Sequence, residues 1–416
     1  MDSLKLFGLP GRLGRWLIIV LGMTAMLCLG TVYSWSIFRK PLESWLNIGA
    51  TASLLPYTIF LVIYAILMPI TGFFIDKFGP RKVIAVGGVV MGLGYFLSSF
   101  TSNIYQLVLT YGMIAGAGVG IVYGVPLVVS AKWFPDKKGF ALGLTVVGFG
   151  LSPLITAPLI KFLIKQYDIQ LTFRILGIVF LVILVSIAMF LKSPPPNWQP
   201  ISTSTLNGNT PSYQVKSVKE MLQTQTFYGL WLCYIIGAFV GLSAIGISSS
   251  VAQEIIKLDE TTAAISVSLF AVFNGAGRIL FGWLTDRLKP KGAAIITFTL
   301  ILFASIVMIN AQSGDTLSYL VAFCVFWLCL GGWLAIAPTA TLTFFQAQNY
   351  AKNYGIVFTA YGLGALGGSL IAGSIRDIFG SYTYAFYPMG GLAIVGMFIA
   401  VFLLKPSFSP VKTKAI

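Results

Sequence analysis

Arg278 is the residue whose chemistry most needs explaining. It stands inside a long apolar run, 262–285, eight residues before Asp286. On a helix rising about 1.5 Å per residue it lies about 12 Å above that acid. In a hydrocarbon core of ~30 Å that depth is near the middle. A lone arginine there costs about 2.5–3.5 kcal/mol on insertion scales, so it needs a pocket, water or a partner. The twelve acidic residues are read as lying in loops or at the ends of apolar runs, and none is placed to neutralise it. The other basic residues are likewise placed in loops or at helix ends. The missing counter-charge is then a bound anion, and the planar guanidinium fork matches a carboxylate through two hydrogen bonds. The competing reading is a side chain that snorkels to the interface or bonds backbone carbonyls.

Asn274 precedes Arg278 by four residues and so shares its helix face. It can orient the guanidinium, donate to a ligand, or act as a packing polar group. Other chemistry is sparse. The chain has no histidine, which excludes a histidine proton relay, a histidine metal site and a Ser-His triad. Cys28, Cys233, Cys324 and Cys329 lie inside apolar runs without CxxC or metal-ligand spacing, so they read as reduced and buried. There is no GxxxxGK[ST] stretch for a nucleotide, and no paired carboxylates or activated nucleophile in an apolar run. An enzyme is not expected, nor a metal or cofactor. The formal net charge of +15 does not gather into a basic face with interleaved aromatics, so nucleic acid is not an expected partner.

The elements that must position Arg278 follow from composition. Hydrophobic residues make up 57% of the 416 and charged residues only 9%. Soluble domains carry about 25% charged residues, so lipid must be the solvent for most of this chain. Runs of spanning length occur at about 16–38, 52–75, 83–100, 104–131, 139–163, 171–191, 227–251, 262–285, 292–311, 317–345, 354–375 and 384–404. The first is too long for a signal peptide and reads as a retained span. The expected fold is an all-α membrane protein of twelve transmembrane helices. With the N-terminus in the cytoplasm, basic clusters such as Lys77/Arg81/Lys82, Lys132/Lys137/Lys138 and Arg287/Lys289/Lys291 fall inside. Only scattered residues fall outside: Arg39, Lys40, Lys161, Lys165, Arg174, Lys257 and Arg376. The positive-inside rule therefore puts both termini in the cytoplasm. The Pro194-Pro195-Pro196 run opens a polar stretch that divides the spans six and six. The expected organisation is one bundle over 1–192, a cytoplasmic linker over 193–226 and a second bundle over 227–416.

The halves echo one another. Gly72-Phe-Phe-Ile-Asp76-Lys77-Phe-Gly79 follows the second span, and Gly282-Trp-Leu-Thr-Asp286-Arg287-Leu follows the eighth, 210 residues later. Thr145-Val-Val-Gly-Phe149-Gly150 in the fifth span matches Thr359-Ala-Tyr361-Gly-Leu-Gly in the eleventh. Repeats of this kind build pseudo-symmetric secondary transporters around a central site.

The run Gly72-x-x-x-Asp76-Lys77-x-Gly79-x-Arg81-Lys82 resembles the signature loop of the major facilitator superfamily, with a weaker copy from Gly282 through Asp286 and Arg287. Four more segments narrow the resemblance: Gly30–Leu42, Lys132–Gly139, Asn274–Arg278 and Asn353–Ala360. Together they are similar to the oxalate:formate antiporter family and its monocarboxylate-transporter relatives, over nearly the whole chain. The resemblance implies transport of small carboxylates, with the helix-eight arginine, Arg278, holding the carboxylate. It implies a cavity lined by Tyr33 and Tyr123, with Phe149, Trp333, Phe358 and Tyr361 as further wall. Tyrosine supplies an apolar face and one hydroxyl, which suits a small organic anion.

Two positions depart from the relatives. Asn274 stands where some monocarboxylate carriers have an aspartate linked to proton coupling. Tyr361 stands where oxalate carriers have a second cation, a lysine. One cation balances a monoanion, so charge matching favours a monocarboxylate of lactate, pyruvate or formate type over oxalate. The expected mechanism is alternating access, with the 72–82 and 282–289 loops latching the inward gate. Coupling stays open between proton symport and anion exchange. An oxalate/formate-type antiporter and a carrier of drugs or other solutes are the rival cargo readings. The expected setting is a monomer in the lipid bilayer of a prokaryotic cytoplasmic (inner) membrane.

Overall fold

The computed structural model describes residues 5–195, 218–345 and 350–405. Most of them are helical, as the bilayer demands. With no water in the core, each backbone N–H and C=O must be satisfied within its own helix. Among the described residues eleven helices are long and apolar enough to span a membrane. We label the spans α1 (Gly11–Leu46), α2 (Ala50–Phe78), α3 (Pro80–Ser98), α4 (Ile104–Trp133), α5 (Lys138–Gln166), α6 (Ile169–Phe190) and α7 (Gln225–Glu254).

The next helix, Glu260–Ile309, is 50 residues long and would measure about 75 Å if straight. That is more than twice the hydrocarbon core. It is two spans: Lys289 breaks it at φ 62°, ψ 163°. These become α8 (260–288) and α9 (290–309). Then come α10 (Thr316–Phe345), α11 (Tyr350–Phe379) and α12 (Phe386–Leu403), which makes twelve.

The break at Lys289 has a counterpart. Gly79, between α2 and α3, sits at φ 78°, ψ 157°, and Pro80 opens the next helix as Pro290 does after Lys289. Proline at a helix start costs no hydrogen bond, because that N–H has no partner in any case. The same left-handed turn therefore recurs 210 residues on, at the spacing of the echoed motifs. The first copy has the glycine this backbone favours; the second places a lysine there.

Three sequence expectations change. The first span was read as 16–38, leaving Arg39 in an outside loop. The helix instead passes through a 3-10 stretch, Gly30–Ser34, and runs to Leu46. Arg39 is inside it and 0% exposed. Helix formation continues because Glu43, one turn on, accepts from Arg39 Nη2 at 3.1 Å, so the charge is compensated locally. Second, Arg15 is also buried. It grips Asp136, in the 3-10 turn Pro135–Lys137, through two hydrogen bonds of 2.6 and 3.0 Å. Those bonds hold the Asp136 carboxyl below the ordinary carboxylate range. Arg278 is therefore not the one buried basic residue. Third, of the stretch read as a linker, 196–217 lies outside the described residues. Its last part already holds a short helix, Val218–Leu222, and the start of α7.

Candidate functional site

Helix α8 places Asn274 and Arg278 on one buried face, pointing at α5 of the other half. Arg278 is 7% exposed. Its Nη1 donates to the Val146 carbonyl at 2.9 Å, and Nη2 donates to Asn274 Oδ1 at 3.3 Å. Nε is buried with no hydrogen-bond partner. The Phe149 ring lies 5.9 Å from the guanidinium carbon, in cation–π range. Among the described residues no carboxylate forms an ion pair with Arg278.

Asn274 has a defined task in this arrangement. Its Nδ2 donates to the Trp327 carbonyl at 3.0 Å, which fixes the amide so that Oδ1 faces the guanidinium. One of the two amide N–H groups is thereby used, and the side chain orients Arg278. The close approach of α5 to α8 depends on Gly150. A Cβ there would come within 2.6 Å of Asn274 Oδ1 and 3.2 Å of Arg278 Nε.

Arg278 stands at the head of a cavity of about 310 Å³. Tyr123, Met68, Leu127, Val146 and Tyr354 line it, with Leu334 to Leu342 of α10 along one side. These residues lie toward the C-terminal ends of α2, α4 and α10 and the N-terminal ends of α5 and α11. In an alternating up-and-down chain all those ends fall on one side of the bundle. Gly143 and Leu342, at the rim, are exposed, so the cavity opens on that side.

Beside Arg278 the aromatic residues close ranks. Phe149 meets Tyr33 at 5.0 Å and Tyr123 at 5.6 Å between ring centres. Phe358 stacks on Tyr361 at 5.1 Å. The Tyr33 and Tyr361 hydroxyls share a hydrogen bond of 2.8 Å. Five of the six aromatics expected from sequence thus form one cluster beside Arg278. The sixth does not. Trp333 packs behind the cluster on Tyr234 and Phe298, pressed against Gly237; of the six expected aromatics Tyr123 is the one among the residues lining the cavity, and Tyr33, Phe149, Phe358 and Tyr361 lie buried behind it. Sequence reasoning missed Tyr64, which bridges Tyr123 and Phe358 at 5.2 and 5.5 Å. Its one signal is position, a turn before the cavity-lining Met68 on α2.

The paired motif lies on the cavity's side. Arg81 Nε donates to the Leu191 carbonyl at 2.8 Å, tying α3 to the end of α6. The Lys77 ammonium lies over Phe73 and Phe78, and the Arg287 guanidinium over Trp283. Each of these contacts stays within its own half. Asp286 is exposed and Gly282 partly buried. The burial of Gly72 and the side chain of Asp76 lie outside the described set.

Two six-helix halves, a repeated turn and a one-sided central cavity headed by a buried cation define a polytopic membrane carrier. The chain belongs to the Major Facilitator Superfamily, whose profile matches residues 15–348. It is 29% identical to the oxalate:formate antiporter of Oxalobacter formigenes, over 97% of this chain and 94% of that one. It is 24% identical to Monocarboxylate transporter 14 of Mus musculus, over 81% and 79%. Among solved structures, a bacterial homolog of the human lysosomal transporter Spinster, described as inward-facing and unoccupied, superposes with a TM-score of 0.71. Identity there is 15%, over 95% of this chain and 99% of that one, so this likeness speaks for the fold. The chain is a transporter and not an enzyme.

Proposed function

We infer that this carrier moves small organic anions, monocarboxylates of lactate, pyruvate or formate type, by alternating access. The observation that carries the reading is Arg278: buried at the head of the cavity, its Nε unpartnered, and without a carboxylate among the described residues. A substrate carboxylate completes the guanidinium fork by displacing the weaker Val146 carbonyl contact. The names of the relatives, an oxalate:formate antiporter and monocarboxylate transporters, support small carboxylates as the cargo.

The single charge favours a monoanion. Tyr361 supplies a hydroxyl where a second cation would serve a dianion, and that hydroxyl already engages Tyr33. A neutral, aromatic wall of this kind accepts a short apolar chain behind one carboxylate. Transport proceeds as proton symport or anion exchange. In a symport the proton travels on the substrate acid, since Asn274 does not titrate.

The basic clusters at the cavity's end favour that end as cytoplasmic, with both termini inside; the setting we infer is a monomer in a prokaryotic cytoplasmic membrane. In this assignment the 1–192 and 227–416 bundles rock about Arg278, and the Gly72–Arg81 and Gly282–Arg287 turns engage when the inward side closes.

A thermal-shift panel of purified protein tests the cargo. A ligand that binds the native fold raises the melting temperature by mass action. Lactate, pyruvate or formate should stabilise at lower concentration than oxalate, and cationic drugs should not stabilise. Stabilisation by oxalate alone would overturn the monoanion reading.

A further inference from the structure

The turns at Gly79 and Lys289 carry three cations each, in different places. Lys77, Arg81 and Lys82 surround the first; Arg287, Lys289 and Lys291 form the second. Two of the three correspond at a spacing of 210 residues and make matching contacts. Lys77 lies over Phe73 and Arg287 over Trp283, each ring one turn back on its helix. Arg81 holds the end of α6 through the Leu191 carbonyl, and Lys291 Nζ donates to the Val401 carbonyl near the end of α12 at 2.9 Å. The third cation has moved. The residue matching Lys82 is Gly292, where a Cβ would come within 2.9 Å of the Leu288 Cβ, so the second turn has no room for a side chain there. The cation stands instead at 289, where the first half has glycine.

Position 289 is a strained place for a lysine. Its φ of 62° and ψ of 163° fall in a region that glycine alone enters readily. Such strain persists where the side chain contributes something, and within the fold this one contributes nothing. Lys289 is exposed, and among the described residues its ammonium makes no hydrogen bond and no ion pair. Asp286, the nearest acid in sequence, is also exposed and pairs with neither Arg287 nor Lys289. The contribution must come from outside the chain. Trp283 and Leu288 flank the two cations and are half-exposed. A half-exposed tryptophan near the end of a spanning helix sits at the level of the lipid headgroups. Arg287, seated over that ring, is held at the same depth. Two cations without counter-ions at headgroup depth face lipid phosphates.

We propose that Arg287 and Lys289 bind the phosphate of an anionic phospholipid, with Trp283 and Leu288 against the first part of its acyl chains. The site lies on the outer surface of the second half. None of its residues lines the cavity, so its occupancy is independent of which solute is carried.

Melting temperatures in nanodiscs of defined lipid test it, comparing the wild type with Lys289→Gly. In phosphatidylcholine alone the variant should melt above the wild type, because glycine relieves the backbone. As phosphatidylglycerol replaces phosphatidylcholine, the wild type should gain more than the variant, and the gap should close or reverse. Lys289→Arg, which keeps the charge, should show the wild-type gain. Native mass spectrometry gives an independent reading: the wild type should retain a phosphatidylglycerol that Lys289→Gly and Arg287→Gln lose. Soluble glycerol phosphate added to phosphatidylcholine discs should not reproduce the gain. A constant gap between wild type and Lys289→Gly at every lipid composition, or equal lipid retention by all three proteins, would overturn the proposal. A full gain from soluble glycerol phosphate would overturn the assignment to a lipid.

Discussion

The hydroxyls of Tyr33 on α1 and Tyr361 on α11 meet at 2.8 Å, one from each half of the carrier. The bond closes the aromatic cluster beside Arg278 with two neutral groups. Replacing Tyr361 by lysine puts a second positive charge at that point. Tyr361→Lys should shift ligand preference from monocarboxylates toward oxalate by about tenfold, or about 1.4 kcal/mol in relative affinity. Melting-temperature titrations with lactate and oxalate read the change directly. An unaltered ratio would remove Tyr361 from the charge-matching argument.

Arg278→Lys keeps the charge but loses the fork. Lysine is a point charge and cannot hold a carboxylate with two parallel bonds. Carboxylate uptake into proteoliposomes should fall by about tenfold or more, in line with losing one charge-assisted hydrogen bond of about 1.5–3 kcal/mol. Membrane insertion and monodispersity should remain as in the wild type. Uptake at the wild-type rate would exclude Arg278 from the site.

Gly150→Ala tests the seam between α5 and α8. The added methyl would approach Asn274 Oδ1 to 2.6 Å, closer than carbon and oxygen tolerate. The helices must separate or Asn274 must turn, and either loosens Arg278 from Val146. Overpacking of this kind costs about 1–3 kcal/mol. The expected result is a lower melting temperature together with a weaker carboxylate-induced rise. A normal rise on a lowered baseline would make Gly150 a packing residue alone.

Asp136, in the turn after α4, gives a pH dependence through its pair with Arg15. Its hydrogen bonds lower the folded-state pKa of Asp136 below the unfolded value. The stabilisation is therefore complete above the unfolded carboxylate value of about 3.9 and is lost as pH falls through the depressed one. Asp136→Asn should melt below the wild type at neutral pH, and the gap should narrow in strong acid. Parallel melting curves of the two proteins across that range would contradict the assignment.

Hydropathy made the spans legible, because a bilayer permits few other ways to satisfy a backbone. Arg278 was legible for the same reason: a charge inside an apolar run has to be accounted for. Arg39 was not. Arg-Lys-Pro-Leu-Glu reads locally as a polar exit from the membrane, and its burial depends on Ser250 and Tyr382, contributed from more than two hundred residues away. Tyr64 and Trp333 show the limit for aromatics. With 18 tyrosines and nine tryptophans in the chain, residue type carries little information. Which face of a helix meets the cavity is set by its rotation against its neighbours, and that turned Tyr64 inward and Trp333 toward Tyr234.

The turn at Lys289 leaves α8 and α9 joined with no slack between them. A connection of one residue cannot absorb sliding or tilting of one helix against the next. Any displacement of Arg278 along its helix axis must therefore be delivered to α9 as a lever delivers load through a stiff elbow. The turn at Gly79 imposes the same rigidity on α2 and α3, so each half carries one such stiff elbow.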